Sequence, residues 1–230
     1  MFTPRTKMAD LIAANHTLIL VVPRFGIPLG FGEKSVHDVC RQYGQDVIFF
    51  LLVCNLYTFD GYRPQGDDWL KTIDLSGIVP YLEASHRYYL NERLPHIERH
   101  LSRIAGHAGE QYMSVLGNFI EGYRKDVSAH FDYEEREVFP YILRLQQGIG
   151  VPEPIAATFL DSHTDLVEKI SDLPQILYKY LPGSPVVEEL NELVFSILQL
   201  SSDLEKHALI EEQVLMPYVA QMERRLRGEA

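Results

Sequence analysis

The chain has 230 residues, 46% of them apolar, and a formal charge of −11. That length holds one large domain or a medium one with a small companion, and the acidic balance argues against nucleic acid or an anionic membrane as partner, because phosphate recognition needs a basic face. Two cysteines make no disulfide framework, and neither a membrane-length apolar run nor a signal-peptide pattern is read, so the expectation is a soluble cytoplasmic protein.

Residues 1–65 read as a small helical domain. Short apolar stretches (Met8 to Ala14, Val36 to Arg41, Val47 to Phe59) are broken by Pro23-Arg24-Phe25-Gly26-Ile27-Pro28 and by Gly30 to Gly32. The polar, turn-rich run from Asp60 to Asp68 reads as a linker.

Residues 76–226 carry the pattern of four long amphipathic helices: about Gly77 to Ile104, Glu110 to Gln146, Pro154 to Tyr180 and Val186 to Arg225. A proline in the first turn of the third is harmless, since the N–H it lacks would have had no partner there. Basic residues at the end of the fourth suit the negative pole of a helix dipole. Short connections between long helices imply antiparallel neighbours, so the expected fold class is all-α, an up-down-up-down four-helix bundle preceded by the small helical domain. Pro95, Pro140, Pro174 and Pro217 fall inside these patterns, where kinks or local breaks are expected.

Laid over this frame is a repeat of six residues. His86 is followed 44 positions later by His130, and His163 is followed 44 positions later by His207. Each second histidine opens a His-x-x-x-Glu pair, His130 with Glu134 and His207 with Glu211, and each pair is followed by a second glutamate and a Pro-Tyr (Glu135, Pro140, Tyr141; Glu212, Pro217, Tyr218). In an antiparallel hairpin two residues sit level when the turn lies halfway between them. The midpoints fall at Gly106-His107-Ala108-Gly109, at Pro182-Gly183-Ser184-Pro185 and beside Gly148-Ile149-Gly150-Val151-Pro152. Glycine and proline are the strongest chain punctuators, and each cluster lies where four level histidines require a turn.

Positions four apart on a helix are about 40° and about 5.4 Å apart, so an imidazole and a carboxylate at that spacing reach one cavity. Four imidazoles and two carboxylates suit a two-metal site, with Glu134 and Glu211 bridging and two histidines on each ion. Imidazole with carboxylate suits iron, manganese or zinc, and a position is left open for an oxo, hydroxo or small diatomic ligand. A single His-x-x-x-Glu is common by chance and also stabilises a helix; the duplication with turns at the midpoints is what argues for ligation. His96 and His100 have ligand spacing but no partners in the repeat and read as surface residues, while His16, His37 and His107 read as structural or solvated. Tyr88, Tyr89, Tyr133 and Tyr218 read as core aromatics that could offer a hydroxyl near the ligands. Glu135, Glu212 and Asp165 are candidate outer acceptors for imidazole N–H groups.

The bundle resembles the hemerythrin-like domain, and in particular the RIC proteins, di-iron proteins implicated in repair of iron centres. The resemblance rests on Ser85-His86, on His130-Phe131-Asp132-Tyr133-Glu134-Glu135 with Phe139-Pro140, on His163, and on His207-Ala208-Leu209-Ile210-Glu211-Glu212 with Met216-Pro217, over roughly residues 76–222. Oxygen-carrying hemerythrins use a fifth histidine from a His-x-x-x-His pair on the third helix; here the position four after His163 is Val167. The four-histidine set is similar to the RIC pattern and favours redox or nitric oxide chemistry over reversible oxygen carriage. Residues Phe25-Gly26-Ile27 and Gly32-Glu33-Lys34, then Val36 through Cys40, look like the small domain preceding the bundle in that family. The family's adjacent cysteine pair is replaced by Gly30 and Phe31, and Cys40 and Cys54 read as buried small hydrophobes.

The resemblance implies two non-haem iron ions, oxo- or hydroxo-bridged, held by His86, His130, Glu134, His163, His207 and Glu211, with no catalytic residue beyond these ligands. It implies a role in the nitrosative or oxidative stress response, repairing damaged iron–sulfur centres by iron donation or nitric oxide chemistry, with oxygen or nitric oxide as small ligand and iron–sulfur proteins as clients. A homo-oligomer is compatible with this reading. Two competitors are a di-iron sensor that binds oxygen or nitric oxide without turnover, and a metal-free helical interaction domain.

Overall fold

The computed structural model describes residues 1–64, 70, 73–105, 110–149, 164–171, 173–180 and 187–228. Among them the chain is all-helical, with no strand; one isolated antiparallel bridge joins Lys7 and Ser35. No helix among the described residues is long and apolar enough to cross a membrane. Two compact units emerge: Met1–Ser85 with Ile142–Ala156 and Lys206–Ala230, and His86–Tyr141 with Ala157–Glu205. The division follows packing and not order along the chain.

The first unit contains α1 (Met8–Ala14), α2 (Leu18–Val21) running into a tight turn at Val22–Phe25, α3 (Val36–Gln42) and α4 (Val47–Thr58). In α4 every residue from Phe49 to Tyr57 is buried. A helix with no polar face has to be surrounded, and α4 is the centre of this unit. The ring of Phe25 packs on Phe49, Phe50 and Tyr81, with centroids 5.5, 5.0 and 4.6 Å away. Gly26, at φ 69°, ends the turn before it in the left-handed conformation that glycine takes most easily. Ser35 and Asp38 form a reciprocal capping box that starts α3. Asp46 starts α4 by accepting from the Phe49 N–H at 2.7 Å. Buried Asn55 is satisfied by the Phe2 N–H at 2.8 Å.

Both cysteines lie in this core. Burial pushes the Cys40 thiol up to about 12 and the Cys54 thiol well above its ordinary value. They are inert small hydrophobes, as the sequence suggests.

The second unit is built around one apolar cluster that draws on four helical stretches. Tyr89, Ile97 and Ile104 come from the first, and Leu116, Ile120 and Val127 from the second. Ile170 and Leu177 come from the third, and Leu193, Ile197 and Leu204 from the fourth. The first stretch continues from α5 (Ile78–Tyr88) into α6 (Leu94–Ala105), and the second is α7 (Glu110–Tyr133), followed by α8 (Phe139–Gln146). The third is α9 (Thr164–Ser171) with α10 (Leu173–Tyr180), and the fourth is α11 (Val187–Ile210), followed by α12 (Met216–Arg227). The Tyr89 hydroxyl donates to the Asp203 carbonyl at 3.3 Å, and the Arg93 guanidinium reaches the Ser196 carbonyl at 3.4 Å and the Gln199 side chain. Partner numbers fall as Tyr89 gives way to Arg93, so the first and fourth stretches run antiparallel. Arg124 forks onto Glu98 with both contacts at 2.9 Å, tying the first stretch to the second.

The interior prolines neither break the helices nor leave them regular. Residues Tyr89–Arg93, Glu134–Val138 and Glu211–Leu215 each form one wide π turn, and each ends two residues before a proline: Pro95, Pro140 and Pro217. In each case the residue preceding the proline donates its N–H five residues back: Leu94 to Tyr89, Phe139 to Glu134 and Met216 to Glu211. A proline has no N–H to give and its ring crowds the carbonyl four residues before it; the extra residue in the wide turn relieves both. Pro174 differs, standing second in a new helix, α10, where its missing N–H is harmless.

Candidate metal centre

Two of the predicted residues stand at the ends of α5 and α7. His86 is 1% exposed and His130 8%, and Glu134, fully buried, opens the wide turn that follows α7. The i, i+4 spacing stacks His130 over Glu134, Nε2 to Oε1 3.0 Å. The other oxygen of Glu134 lies 3.1 Å from His86 Nε2. One buried carboxylate thus meets two imidazoles, one from each of two helices.

His86 is held on its remaining sides. Its Nδ1 lies 3.0 Å from Glu135 Oε1, and its ring stacks on Phe131 at 3.8 Å and 7° and on Phe139 at 5.5 Å. A neutral imidazole carries a single N–H. In the tautomer that donates from Nδ1 to Glu135, Nε2 would turn a lone pair toward the oxygen of Glu134. Two such electron-rich atoms at 3.1 Å repel unless a cation lies between them, and a proton or a metal ion would serve.

The second half of the repeat has the same local geometry. His207, near the end of α11, is 3% exposed; Glu211, fully buried, opens the next wide turn, and His207 Nε2 lies 3.2 Å from Glu211 Oε1. His86 and Glu134 in the second unit, and His207 and Glu211 in the first, are all buried, and a buried His/Glu group of this kind could hold a metal ion. Buried carboxylates need compensating positive charge, and the imidazole and carboxylate donors suit iron, manganese or zinc.

Of the six predicted ligands, His86 and His130 meet Glu134 in the second unit and His207 meets Glu211 in the first; His163 lies outside the described residues, as do His107 and the side chain of Asp165. The remaining candidates scatter. Tyr89 is core, its hydroxyl spent on a backbone carbonyl; Tyr88 and Tyr218 are half-buried; Tyr133 and Glu212 are exposed. His16 and His37 are exposed, as expected. His96 and His100, read as surface residues, are half-buried, with rings 4.5 Å apart and nearly edge-on. Burial and the neighbouring His100, Arg93 and Arg99 lower the His96 pKa.

One residue escaped the sequence reading. Asp203, one turn before His207, is 2% exposed. The repeat does extend to it: Asp126 stands one turn before His130 as Asp203 does before His207, so the duplicated unit is Asp-x-x-x-His-x-x-x-Glu. The two aspartates differ in fate, since Asp126 is exposed and pairs with Lys169 at 2.8 Å.

No protein-family model matches this chain, and no curated protein matches it.

Proposed function

We propose that this chain is a hemerythrin-like non-haem di-iron protein of the RIC type, which serves the nitrosative and oxidative stress response by repairing damaged iron–sulfur centres. The observation that carries the metal reading is the fully buried Glu134 carboxylate, 3.1 Å from His86 Nε2 and 3.0 Å from His130 Nε2. A pair of iron ions there would supply redox chemistry and affinity for a small diatomic ligand. The near-complete burial of these side chains favours a ligand as small as nitric oxide or oxygen, and it favours nitric oxide chemistry over iron donation, which requires the site to open. The repair role itself rests on the sequence resemblance.

The test is restoration of a damaged [4Fe–4S] enzyme by protein purified without oxygen, with about two irons per chain as the accompanying requirement. Restoration by the wild type and none by a Glu134→Ala, Glu211→Ala variant is the expected result. Equal restoration by both would remove the repair role.

A second reading, a sensor without turnover, draws support from the buried, inert state of Cys40 and Cys54 and from the glycine and phenylalanine at positions 30 and 31. With no accessible thiol pair, the N-terminal segment is better suited to transmitting a conformational signal than to thiol chemistry. This reading predicts a scattering profile that changes when nitric oxide is added; an unchanged profile counts against it.

A further inference from the structure

Adjacent helical residues ordinarily point about 100° apart and do not share a target. Glu134 and Glu135 break that rule. Glu134 Oε2 lies 3.1 Å from His86 Nε2, and Glu135 Oε1 lies 3.0 Å from Nδ1 of the same ring. Two consecutive carboxylates hold one imidazole by its two nitrogens, and both belong to the wide turn Glu134–Val138. The two are not equivalent: Glu134 is fully buried, and Glu135 is 43% exposed.

We infer that Glu135 is a positioning residue for the metal centre: its carboxylate fixes the Nδ1–H tautomer of His86, turns Nε2 into the site, and raises the donor strength of that ligand. The inference rests on the metal reading of the site. A ring with Nδ1–H held by a carboxylate cannot rotate its Nε2 away without losing a charge-assisted hydrogen bond. Phe131, stacked at 3.8 Å, fixes the plane of the ring but cannot distinguish one nitrogen from the other. Only a hydrogen-bond acceptor does that, and at Nδ1 the acceptor is Glu135. Outer carboxylates of this kind make the imidazole more basic, and their loss typically lowers metal affinity about 10- to 100-fold. A more electron-rich imidazole also favours the more oxidised metal ion.

The experiment compares wild type, Glu135→Gln and Glu135→Ala, all purified without oxygen. Ferrous ion affinity is measured by competition with a chelator, the midpoint potential by spectroelectrochemistry, and the melting temperature on metal-free protein. The alanine variant should lose about 10- to 100-fold in affinity and shift to a higher potential, with metal-free melting unchanged. Glutamine keeps the acceptor and loses the charge, so it should recover most of the affinity while the potential stays raised. Wild type that binds iron alongside variants of equal affinity and potential would overturn the role of Glu135 alone. Wild type that binds no iron would overturn the metal reading, and this inference with it. A fall in the metal-free melting temperature of both variants would make Glu135 a structural residue and likewise overturn the assignment.

Discussion

Phe139 donates its backbone N–H to the carbonyl of Glu134, five residues back and one residue ahead of Pro140. The buried carboxylate residue is thus also the acceptor that closes the wide turn made necessary by the proline. The same relation joins Met216 to Glu211 ahead of Pro217. Both His-x-x-x-Glu pairs, His130 with Glu134 and His207 with Glu211, begin before the irregularity, so their i, i+4 register is that of an ordinary helix.

That placement predicts the behaviour of Pro140→Ala. A proline in a regular helix interior costs about 3 kcal/mol relative to alanine. Here the wide turn has already removed the clash and supplied the alternative hydrogen bond. Replacing Pro140 should therefore change stability by less than about 1 kcal/mol, well below that helix-interior penalty, and metal content should stay at the wild-type level. Urea denaturation and elemental analysis check both. A gain near the full penalty would mean that the turn is strained and not adapted.

How much of this could be read beforehand differs between fold and site. The second helical stretch, expected over about Glu110 to Gln146, is helical from Glu110 to Gln146 among the described residues, because glycines flank both ends in the sequence and the apolar period runs through it. The wide turns were not legible. Pro140 announces a disturbance, but whether the helix breaks, kinks or widens depends on what packs around it. Periodicity likewise identifies a buried face and not its partner, which is why the grouping of residues 206–228 with the N-terminal segment could not be foreseen. At the site, His86, His130, Glu134, His207 and Glu211 stood out because they recur at fixed spacing. Asp203 recurs too, opposite Asp126, but an aspartate one turn from a histidine also fits a solvated helix face, and Asp126 occupies one.

Metal removal gives a second prediction. A ligand at 100 times its dissociation constant stabilises the folded state by about 2.7 kcal/mol. A strong chelator should lower the melting temperature of wild-type protein and leave a Glu134→Ala, Glu211→Ala variant unaffected. Scanning calorimetry with and without chelator makes the comparison; a wild-type transition indifferent to the chelator would show that no bound ion contributes to stability.

Phe131 provides a third, aimed at packing. It is 2% exposed, lies in the apolar cluster of the second unit and stacks on His86. Phe131→Ala should destabilise the metal-free protein by about 3–5 kcal/mol, the range for losing a buried aromatic ring. Phe131→Leu, which keeps much of the volume, should cost less than about 1.5 kcal/mol. Denaturant midpoints at constant slope decide this, and a loss of less than 1 kcal/mol for the alanine variant, under the usual range for such truncations, would mean that the ring is not packed as described.

The cysteines supply a prediction in pH. Burial raises both thiols, Cys40 to about 12 and Cys54 well above its ordinary value, whereas an unfolded cysteine ionises near pH 8.5. Between those limits the native state keeps protons that the unfolded chain releases. Stability from these groups is therefore fully present below about pH 8.5 and falls as pH rises toward 12. The urea midpoint should drop between pH 8 and pH 10.5, and a Cys40→Ala, Cys54→Ala variant should show a shallower drop over that interval. Native protein at pH 8 should also react with a thiol reagent only as fast as it unfolds, because an attacking thiolate is almost absent from the folded state. Immediate labelling of either cysteine without denaturant would place that thiol at the surface and contradict the packing of α3 against α4.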